Sequence, residues 1–417
     1  MTDRFDRTEL PGGLVVLSET MPGIRSASLG VWVRAGSVTE TPADMGISHL
    51  LEHMVFKGTT QRTARELALV LERLGGSLDA YTTREHTSFQ ARVLDSDIDI
   101  GMDVLADLVL DPLLREADLE LERAVVIEEI ATVEDTPDDL IFDLQAAQMW
   151  RDHPYGYSIL GTRATVSAFT THDLRRVHSA HYHRGNVVIA AAGKVEHERF
   201  VERVAAAFAD APGGLPSQSL VQLPSRNGQP RTAPARTCME RDSAQTHIVW
   251  GCDTFGHGDP RRYALVLLSN AFGGGMSSRL FQRVREELGL AYAVYAFQTF
   301  YAAAGVNGVY VGTRPETADL AEAVVTEELA RLAADGMTAE ELADVKGQVK
   351  GQIVLSLESS SSRLHRLAGT ELYGEPFRTM DEITALVDAV TLDDVAALAA
   401  HYFQPDRHSV LRLGPSH

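Results

Sequence analysis

The stretch Gly46–Thr59, GISHLLEHMVFKGT, contains His49, Glu52 and His53 in an H-x-x-E-H pattern. On an α-helix, positions i, i+3 and i+4 lie on one face, so two imidazoles and one carboxylate project together. The other residues are mostly apolar, which predicts a helix buried almost all round except for this polar face. Two imidazoles on adjacent turns can bind Zn²⁺, and a carboxylate beside them can accept a proton from water that the metal activates.

The same pattern has a simpler interpretation. A buried helix can also carry two histidines that only make hydrogen bonds, and five-residue patterns recur by chance. H-x-x-E-H is nevertheless the inverse of the H-E-x-x-H helix found in zinc peptidases. The stretch therefore predicts either a catalytic metal site or a structural histidine pair.

Composition narrows the class of protein. The chain has 417 residues, of which 44% are hydrophobic and 23% charged, a balance typical of soluble globular protein with room for two or three domains. Its net charge of -20 argues against nucleic acid or an anionic membrane as a partner. Cys238 and Cys252 are the only cysteines, so we expect a reducing, cytoplasmic location. We expect neither a membrane span nor a targeting signal.

A compositional change in the middle of the chain divides it into halves. Residues 211–236 are rich in Pro, Gly, Ser and Gln and contain no acid, which indicates a linker between domains at 1–210 and 237–417. LLEHMVFKG in the first half resembles LLSNAFGGG in the second. We therefore predict an α+β protein made of two structurally repeated α/β-sandwich-like domains.

The second copy lacks the candidate metal ligands. The repeat places Val266, Ser269 and Asn270 where the first copy has its H-x-x-E-H residues. It also places Gln352 opposite Glu129. We expect no metal there. Because one copy does without the polar face, packing alone does not require it, and this contrast favours metal binding in the first half.

A third ligand is needed, because a catalytic zinc usually has three protein ligands and a water. The best candidates lie in residues 118–133, DLELERAVVIEEIATV, where Glu122 and Glu129 are seven positions apart and share one helical face. Acids on an apolar-flanked face need a stabilising partner. The alternative is an ordinary solvated acidic stripe that also includes Glu120 and Glu128.

Several motifs together resemble the M16 metallopeptidases, the family of mitochondrial processing peptidase, pitrilysin and insulin-degrading enzyme. They are HLLEH, the later VIEEI, and the stretches GGSLDAYTTREHTSF and HPYGYSILGT. With the linker and the degenerate second half, the resemblance covers nearly the whole chain. It implies the two-domain metallohydrolase fold of that family and a zinc-dependent endopeptidase acting on unfolded peptides or processing segments.

The resemblance also implies roles for individual residues. His49, His53 and Glu129 match the protein ligands of one Zn²⁺ per chain. Glu52 matches the general base of peptide hydrolysis. Glu122 matches an acid that supports the site without touching the metal, a role that would orient a ligand.

Two further groups match substrate-binding positions of the family. Arg285 and Tyr292 match an R-x6-Y pair that holds the substrate backbone and stabilises the oxyanion; a solvated charge and a core aromatic are the alternatives. Asp79, Ala80 and Tyr81 match an edge strand to which a peptide adds as a further strand, with an ordinary hairpin as the alternative. The family usually has Asn where this chain has Asp79, which puts identical substrate contacts in doubt.

The resemblance implies an assembly as well. Longer relatives arrange four such units around a closed chamber, so we expect a homodimer in which Arg285 and Tyr292 act on the other subunit's zinc site. The alternative is a non-catalytic subunit, or one active only with a different partner chain, and the intact ligand set argues against it. A structural zinc site is disfavoured because such sites use four protein ligands, usually with cysteine.

A histidine pattern favours a structural role, and a glycine-rich pattern favours flexible contact with substrate or with the other half, with a tight turn as the alternative. His178, His181 and His183 have spacings that a metal could use, but only one of them has a counterpart in the second half, His401. The glycine-rich stretch NAFGGGMSSRLF does not match a phosphate-binding loop, so no nucleotide is expected.

Overall fold

The computed structural model describes residues 4–151, 153–213 and 232–415, so most of the predicted linker 211–236 lies outside the described residues. The strands are β1 Arg4–Leu10, β2 Leu14–Thr20, β3 Ser26–Val33, β4 Ser77–Thr82, β5 Thr87–Leu94, β6 Val187–Gly193, β7 Arg236–Glu240, β8 Thr246–Thr254, β9 Ala291–Phe300, β10 Gly305–Thr313 and β11 Ser409–Gly414. The helices are α1 Ile47–Val55, α2 Ala64–Glu72, α3 Ile98–Leu110, α4 Glu116–Glu134, α5 Pro137–Met149, α6 Arg163–Ala168, α7 Thr171–His181, α8 His197–Ala207, α9 Arg262–Gly273, α10 Ala318–Asp335, α11 Ala339–Ser356, α12 Ser360–Tyr373, α13 Met380–Asp388 and α14 Leu392–Tyr402.

The chain forms two compact units that are not continuous in sequence. Unit 1 consists of Met1–Ala131, Tyr157–Leu223 and Ser356–Thr379. Unit 2 consists of Thr132–Gly156, Pro224–Leu355 and Met380–His417. Compared with the predicted domains 1–210 and 237–417, helix α5 packs in unit 2 and helix α12 packs in unit 1. Each of these helices covers one face of the sheet in its unit.

Unit 1 is built on a six-stranded sheet in the order β1-β2-β6-β3-β5-β4. Strands β2 and β6 are parallel, and the other neighbours are antiparallel. Strand β6, with the sequence VVIAAAG, is buried throughout, as expected for a central strand covered on both faces. Helices α1 and α3 pack on strands of this sheet, and so does α12. The strand order places β4 at one edge of the sheet, and α1 packs beside it.

Unit 2 repeats this arrangement with one strand fewer, in the order β7-β11-β8-β10-β9. Its one parallel pair, β7 and β11, corresponds to β2 and β6 of unit 1. The predicted α+β fold with two repeated units is thus confirmed. No helix in the described part of the chain is long and apolar enough to cross a membrane.

Helix α12 is held on unit 1 by polar contacts with the sheet. Glu19 of β2 is completely buried, and its carboxylate accepts hydrogen bonds from Arg363 and, at 2.8 Å, from Arg366. At the other end of the helix, the Tyr373 hydroxyl donates to Glu85 at 2.9 Å. These contacts join residues that are more than 280 positions apart in the chain.

We predict that Glu19→Gln destabilises unit 1. The substitution keeps the side-chain volume but removes a buried charge shared by Arg363 and Arg366, which should lower the free energy of unfolding by about 3 kcal/mol. Urea denaturation followed by circular dichroism measures this change. The matched control is Glu198→Gln, at a side chain that is 71% exposed, where we expect a change below about 0.5 kcal/mol. Equal stability of the two variants would contradict the assigned role of Glu19.

Candidate metal centre

The start of helix α1 is fixed by two close contacts. Gly46 has a φ of 92°, and a Cβ there would lie 2.6 Å from the Cα of Gly161, so only glycine fits. The buried Glu40 carboxylate accepts hydrogen bonds from the backbone N–H groups of Gly46 and Ser48, both at 2.9 Å. Burial raises the pKa of Glu40 to about 7, although these hydrogen bonds act to lower it.

The apolar residues of α1 then bury the helix in the core of unit 1. Each of them is at most 1% exposed: Ile47, Leu50, Leu51, Met54 and Val55. Consequently His49 and Glu52 are also buried, at 7% and 9% exposure. The polar face of α1 meets helix α4, which contributes Glu122 and Glu129.

His49, His53 and Glu129 converge in one cluster. The Nε2 atoms of both histidines lie 3.6 Å from Oε2 of Glu129, and the candidate ligand atoms of the three residues all lie within 4.8 Å of one another. A tetrahedral zinc with bonds of about 2.0–2.1 Å separates its ligand atoms by about 3.4 Å, so the donor set fits this ion. It is the only such group of three or more among the described residues.

The state of His49 favours metal binding over a structural role. Burial, reinforced by repulsion from His53, lowers the pKa of His49 to about 3, so its imidazole is neutral near pH 7 and able to bind a metal. Its buried Nδ1 has no hydrogen-bond partner among the described residues.

Glu122 lies behind His53. Its Oε2 is 3.3 Å from Nδ1 of His53, and its Oε1 is 2.6 Å from Nζ of Lys57. A carboxylate on Nδ1 fixes the tautomer of the ring and leaves Nε2 free to bind a metal. Glu120, from the same acidic stretch, is instead exposed and pairs with Arg123 at 2.7 Å.

Glu52 lies beside the cluster and contacts the edge strand. Its Oε2 accepts a hydrogen bond of 2.5 Å from the Thr82 hydroxyl of β4. Burial raises the pKa of Glu52; the Thr82 hydrogen bond and His53 oppose this shift, and the charges of Glu129 and Asp79 add to it. A raised pKa makes a carboxylate a better proton acceptor. Because successive side chains of a strand point to opposite faces of the sheet, Thr82 lies on the face of β4 that meets α1. No sequence motif identified Thr82 as a site residue.

The predicted edge residues Asp79, Ala80 and Tyr81 lie in β4, at the open edge of the sheet. Asp79 is exposed, and the other two are half-buried. The Tyr81 ring stacks on His365 of helix α12, with 6.0 Å between ring centroids. No sequence pattern predicted that His365 packs on this strand, because α12 comes from the second half of the chain.

Arg285 and Tyr292 belong to unit 2, whereas the histidine cluster belongs to unit 1. The Arg285 guanidinium lies 4.3 Å from the centroid of the Tyr292 ring and donates to the Tyr292 carbonyl at 3.0 Å. Tyr292 is 78% exposed, so in this chain it is not a core aromatic. Arg285 lies in a π-helical segment, Phe281–Glu287, a feature frequent at functional sites.

The rival histidine pattern is not a ligand group in the described residues. The His178 imidazole is hydrogen-bonded through Nε2 to the carbonyl of Val109 at 2.8 Å, and burial lowers its pKa. His181 and His183 do not join it in a cluster of potential ligands. Their structural interpretation agrees with this arrangement.

Comparison with known proteins gives matches over nearly the whole chain. The family models "Insulinase (Peptidase family M16)" and "Peptidase M16 inactive domain" match residues 15–163 and 168–349. A protein of Streptomyces coelicolor named an uncharacterized zinc protease is 40% identical over 94% of this chain and 86% of the relative. Proteins of the same description from Mycobacterium leprae and Bacillus subtilis are 41% and 37% identical, over 98% and 97% of this chain and 91% and 97% of each relative.

Solved structures agree on the fold. A structure described as the peptidase M16 inactive domain from Pseudomonas fluorescens has a TM-score of 0.92 at 22% identity and covers 99% of this chain and 98% of that one. A protease from Helicobacter pylori has a TM-score of 0.91 at 21% identity and covers both chains completely. The full-length similarity to proteins named zinc proteases, with a histidine–glutamate cluster on helices α1 and α4, establishes that the chain belongs to peptidase family M16.

Proposed function

We propose that this protein is a zinc-dependent endopeptidase that hydrolyses unfolded peptides or processing segments. The observation that carries the proposal is the cluster of His49, His53 and Glu129, with Glu52 buried beside it and outside the ligand set. Three protein ligands leave a zinc ion with an open position, as catalytic sites require. A closed structural site would need a fourth protein ligand.

The residues of the site divide the chemistry between them. When bound, Zn²⁺ would polarise the scissile carbonyl and make water more acidic. Glu52 accepts the proton of the attacking water and then delivers it to the leaving amine. Glu122 keeps the His53 ring in the orientation that exposes Nε2. Arg285 and Tyr292 would stabilise negative charge on the carbonyl oxygen through a guanidinium and a phenol hydroxyl.

Strand β4 supplies a binding surface for an extended peptide. Its open edge can form backbone hydrogen bonds with a substrate strand whatever the substrate's sequence. Thr82 ends this strand and donates to Glu52, so the pairing edge and the general base are in direct contact. A peptide paired with β4 would therefore pass beside the proton acceptor.

We further propose a homodimer with a closed chamber, in which Arg285 and Tyr292 complete the site of the partner subunit. Half-buried Arg285 and exposed Tyr292 lie in a different compact unit from the candidate ligands, and the two units have sheets of corresponding strand order. A closed twofold assembly would bring two copies of each kind of unit together. The alternative function is that of a subunit in a heterodimeric processing peptidase, active only with a different partner chain.

Replacing the general base separates metal binding from catalysis. We predict that Glu52→Gln retains one zinc per chain, because the ligands are untouched, and lowers kcat for an unstructured fluorogenic peptide by at least about 100-fold. Elemental analysis and a cleavage assay, with and without a chelator, measure both quantities. Full turnover by this variant would refute the assigned mechanism.

Replacing Glu122 tests support of a ligand. Glu122→Gln should weaken zinc binding about 10- to 100-fold, because the His53 ring loses its carboxylate partner. Competition with a chromophoric chelator gives the affinity. Glu120→Gln, on an exposed face of the same helix, is the matched control and should bind zinc like the wild type. If both variants bind zinc as tightly as the wild type, Glu122 does not support zinc binding through His53.

Mixed dimers test action between subunits. Chains carrying Glu52→Gln and chains carrying Tyr292→Phe should each have low activity alone. If Tyr292 serves the partner's site, co-expression produces mixed dimers with one complete site and restores about a quarter of wild-type activity. If both residues serve the same chain, mixing restores none, which would contradict the shared site. A fully active monomer in sedimentation would contradict the dimer itself.

A further inference from the structure

The outer edge of β4 presents a defined row of backbone groups. In the β4–β5 hairpin, the backbone N–H of Thr83 donates to the carbonyl of His86 at 2.8 Å. Along an antiparallel ladder, pairs that face each other with hydrogen bonds alternate with pairs that do not. The backbone groups that point away from β5, toward the open edge, are therefore those of Leu78, Ala80 and Thr82.

Asp79 covers the middle of this row. Its Oδ1 accepts a hydrogen bond of 2.9 Å from the backbone N–H of Ala80, a group that the ladder leaves free. Asp79 is exposed, and among the described residues its carboxylate is hydrogen-bonded to this backbone N–H and to no lysine or arginine. The carboxylate thus blocks one ladder position while lacking a cationic partner.

We propose that Asp79 makes the β4 edge selective for peptides that carry lysine or arginine. This inference rests on the proposed function, in which a peptide pairs with β4. A peptide strand needs the Ala80 N–H for one of its ladder hydrogen bonds, so the Asp79 carboxylate has to turn away. A cationic peptide side chain gives the displaced carboxylate a charge-assisted hydrogen bond. A neutral side chain gives it no partner, and an acidic one repels it.

Asp79 thereby acts on specificity, not on the chemistry at the metal. It controls access to a backbone donor, and the cost of uncovering that donor depends on the charge of the incoming peptide. The overall charge of -20 also attracts basic peptides, but over a longer range and with stronger screening by salt. An experiment must therefore separate the effect of Asp79 from the effect of the overall charge.

Peptide affinity in the Glu52→Gln background gives that separation. The probes are fluorescein-labelled, unstructured 12-residue peptides with a single lysine, norleucine or glutamate moved along an otherwise constant sequence, measured by anisotropy in 150 mM salt. At its best position, we expect lysine to bind about three- to fivefold more tightly than norleucine. Adding Asp79→Asn should abolish this preference, because the amide still covers Ala80 N–H but carries no charge.

Two more variants complete the test. Asp79→Ala uncovers the Ala80 N–H, and we expect it to tighten binding of the norleucine peptide about threefold, whereas Asp79→Asn should not. Glu198→Gln removes one exposed charge on α8, which packs beside β1 and β2 near the sheet edge opposite β4. This variant should leave the lysine preference unchanged.

Three results would overturn the proposal. The first is equal binding of lysine and norleucine peptides by the parent protein at every position. The second is a lysine preference that persists with Asp79→Asn, which would assign it to overall charge. The third is self-association of Asp79→Ala without any change in peptide affinity, which would show that Asp79 only protects an exposed edge.

The proposed function fails separately from this inference. If the wild type hydrolyses none of these peptides, the endopeptidase assignment is wrong, while the binding preference is still measured. If the wild type hydrolyses them and no preference depends on Asp79, only the selectivity is wrong.

Discussion

The burial of helix α1 is the constraint on which the site depends. Apolar residues around the helix dehydrate His49 and Glu52 together, and dehydration disfavours the charged form of each. The same physical cause therefore produces a neutral imidazole, which can bind a metal, and a carboxylate of raised pKa, which accepts a proton more readily. Two polar contacts offset part of the cost of burial, Glu122 with His53 and Thr82 with Glu52.

Unit 2 shows what remains of the fold when this chemistry is absent. Helix α9 packs on β9 as α1 packs on β4, and it has Val266, Ser269 and Asn270 at the repeat positions of the H-x-x-E-H residues. The unit still has a large core of its own and a complete sheet. The polar face of α1 is thus not required for folding, and its retention in unit 1 needs a functional explanation.

The limits of sequence reasoning follow from the range of the contacts. Periodicity predicted α1, the strands around it and a shared helical face for Glu122 and Glu129, because a helical face and a strand alternation extend over a few residues. The choice of Glu129 as the candidate ligand came from the family resemblance. It could not identify Glu40 or Thr82, whose roles depend on which loop or strand approaches α1. It also could not place α12 in unit 1, because the anchor between Glu19 and Arg366 joins residues 347 positions apart.

Helix α12, which packs in unit 1, gives the open edge strand β4 a second support. Adjacent residues of a strand point to opposite faces of a sheet. On one face of β4, Thr82 is bonded to Glu52; on the other, Tyr81 stacks on His365, which is itself hydrogen-bonded to Gln90 of β5 at 2.9 Å. An edge strand supported on both faces loses little conformational freedom when a peptide pairs with it, so more of the pairing energy is available for binding. Helix α12 therefore supports the proposed site through the edge strand, although it is distant in sequence from the candidate metal ligands and from Glu52.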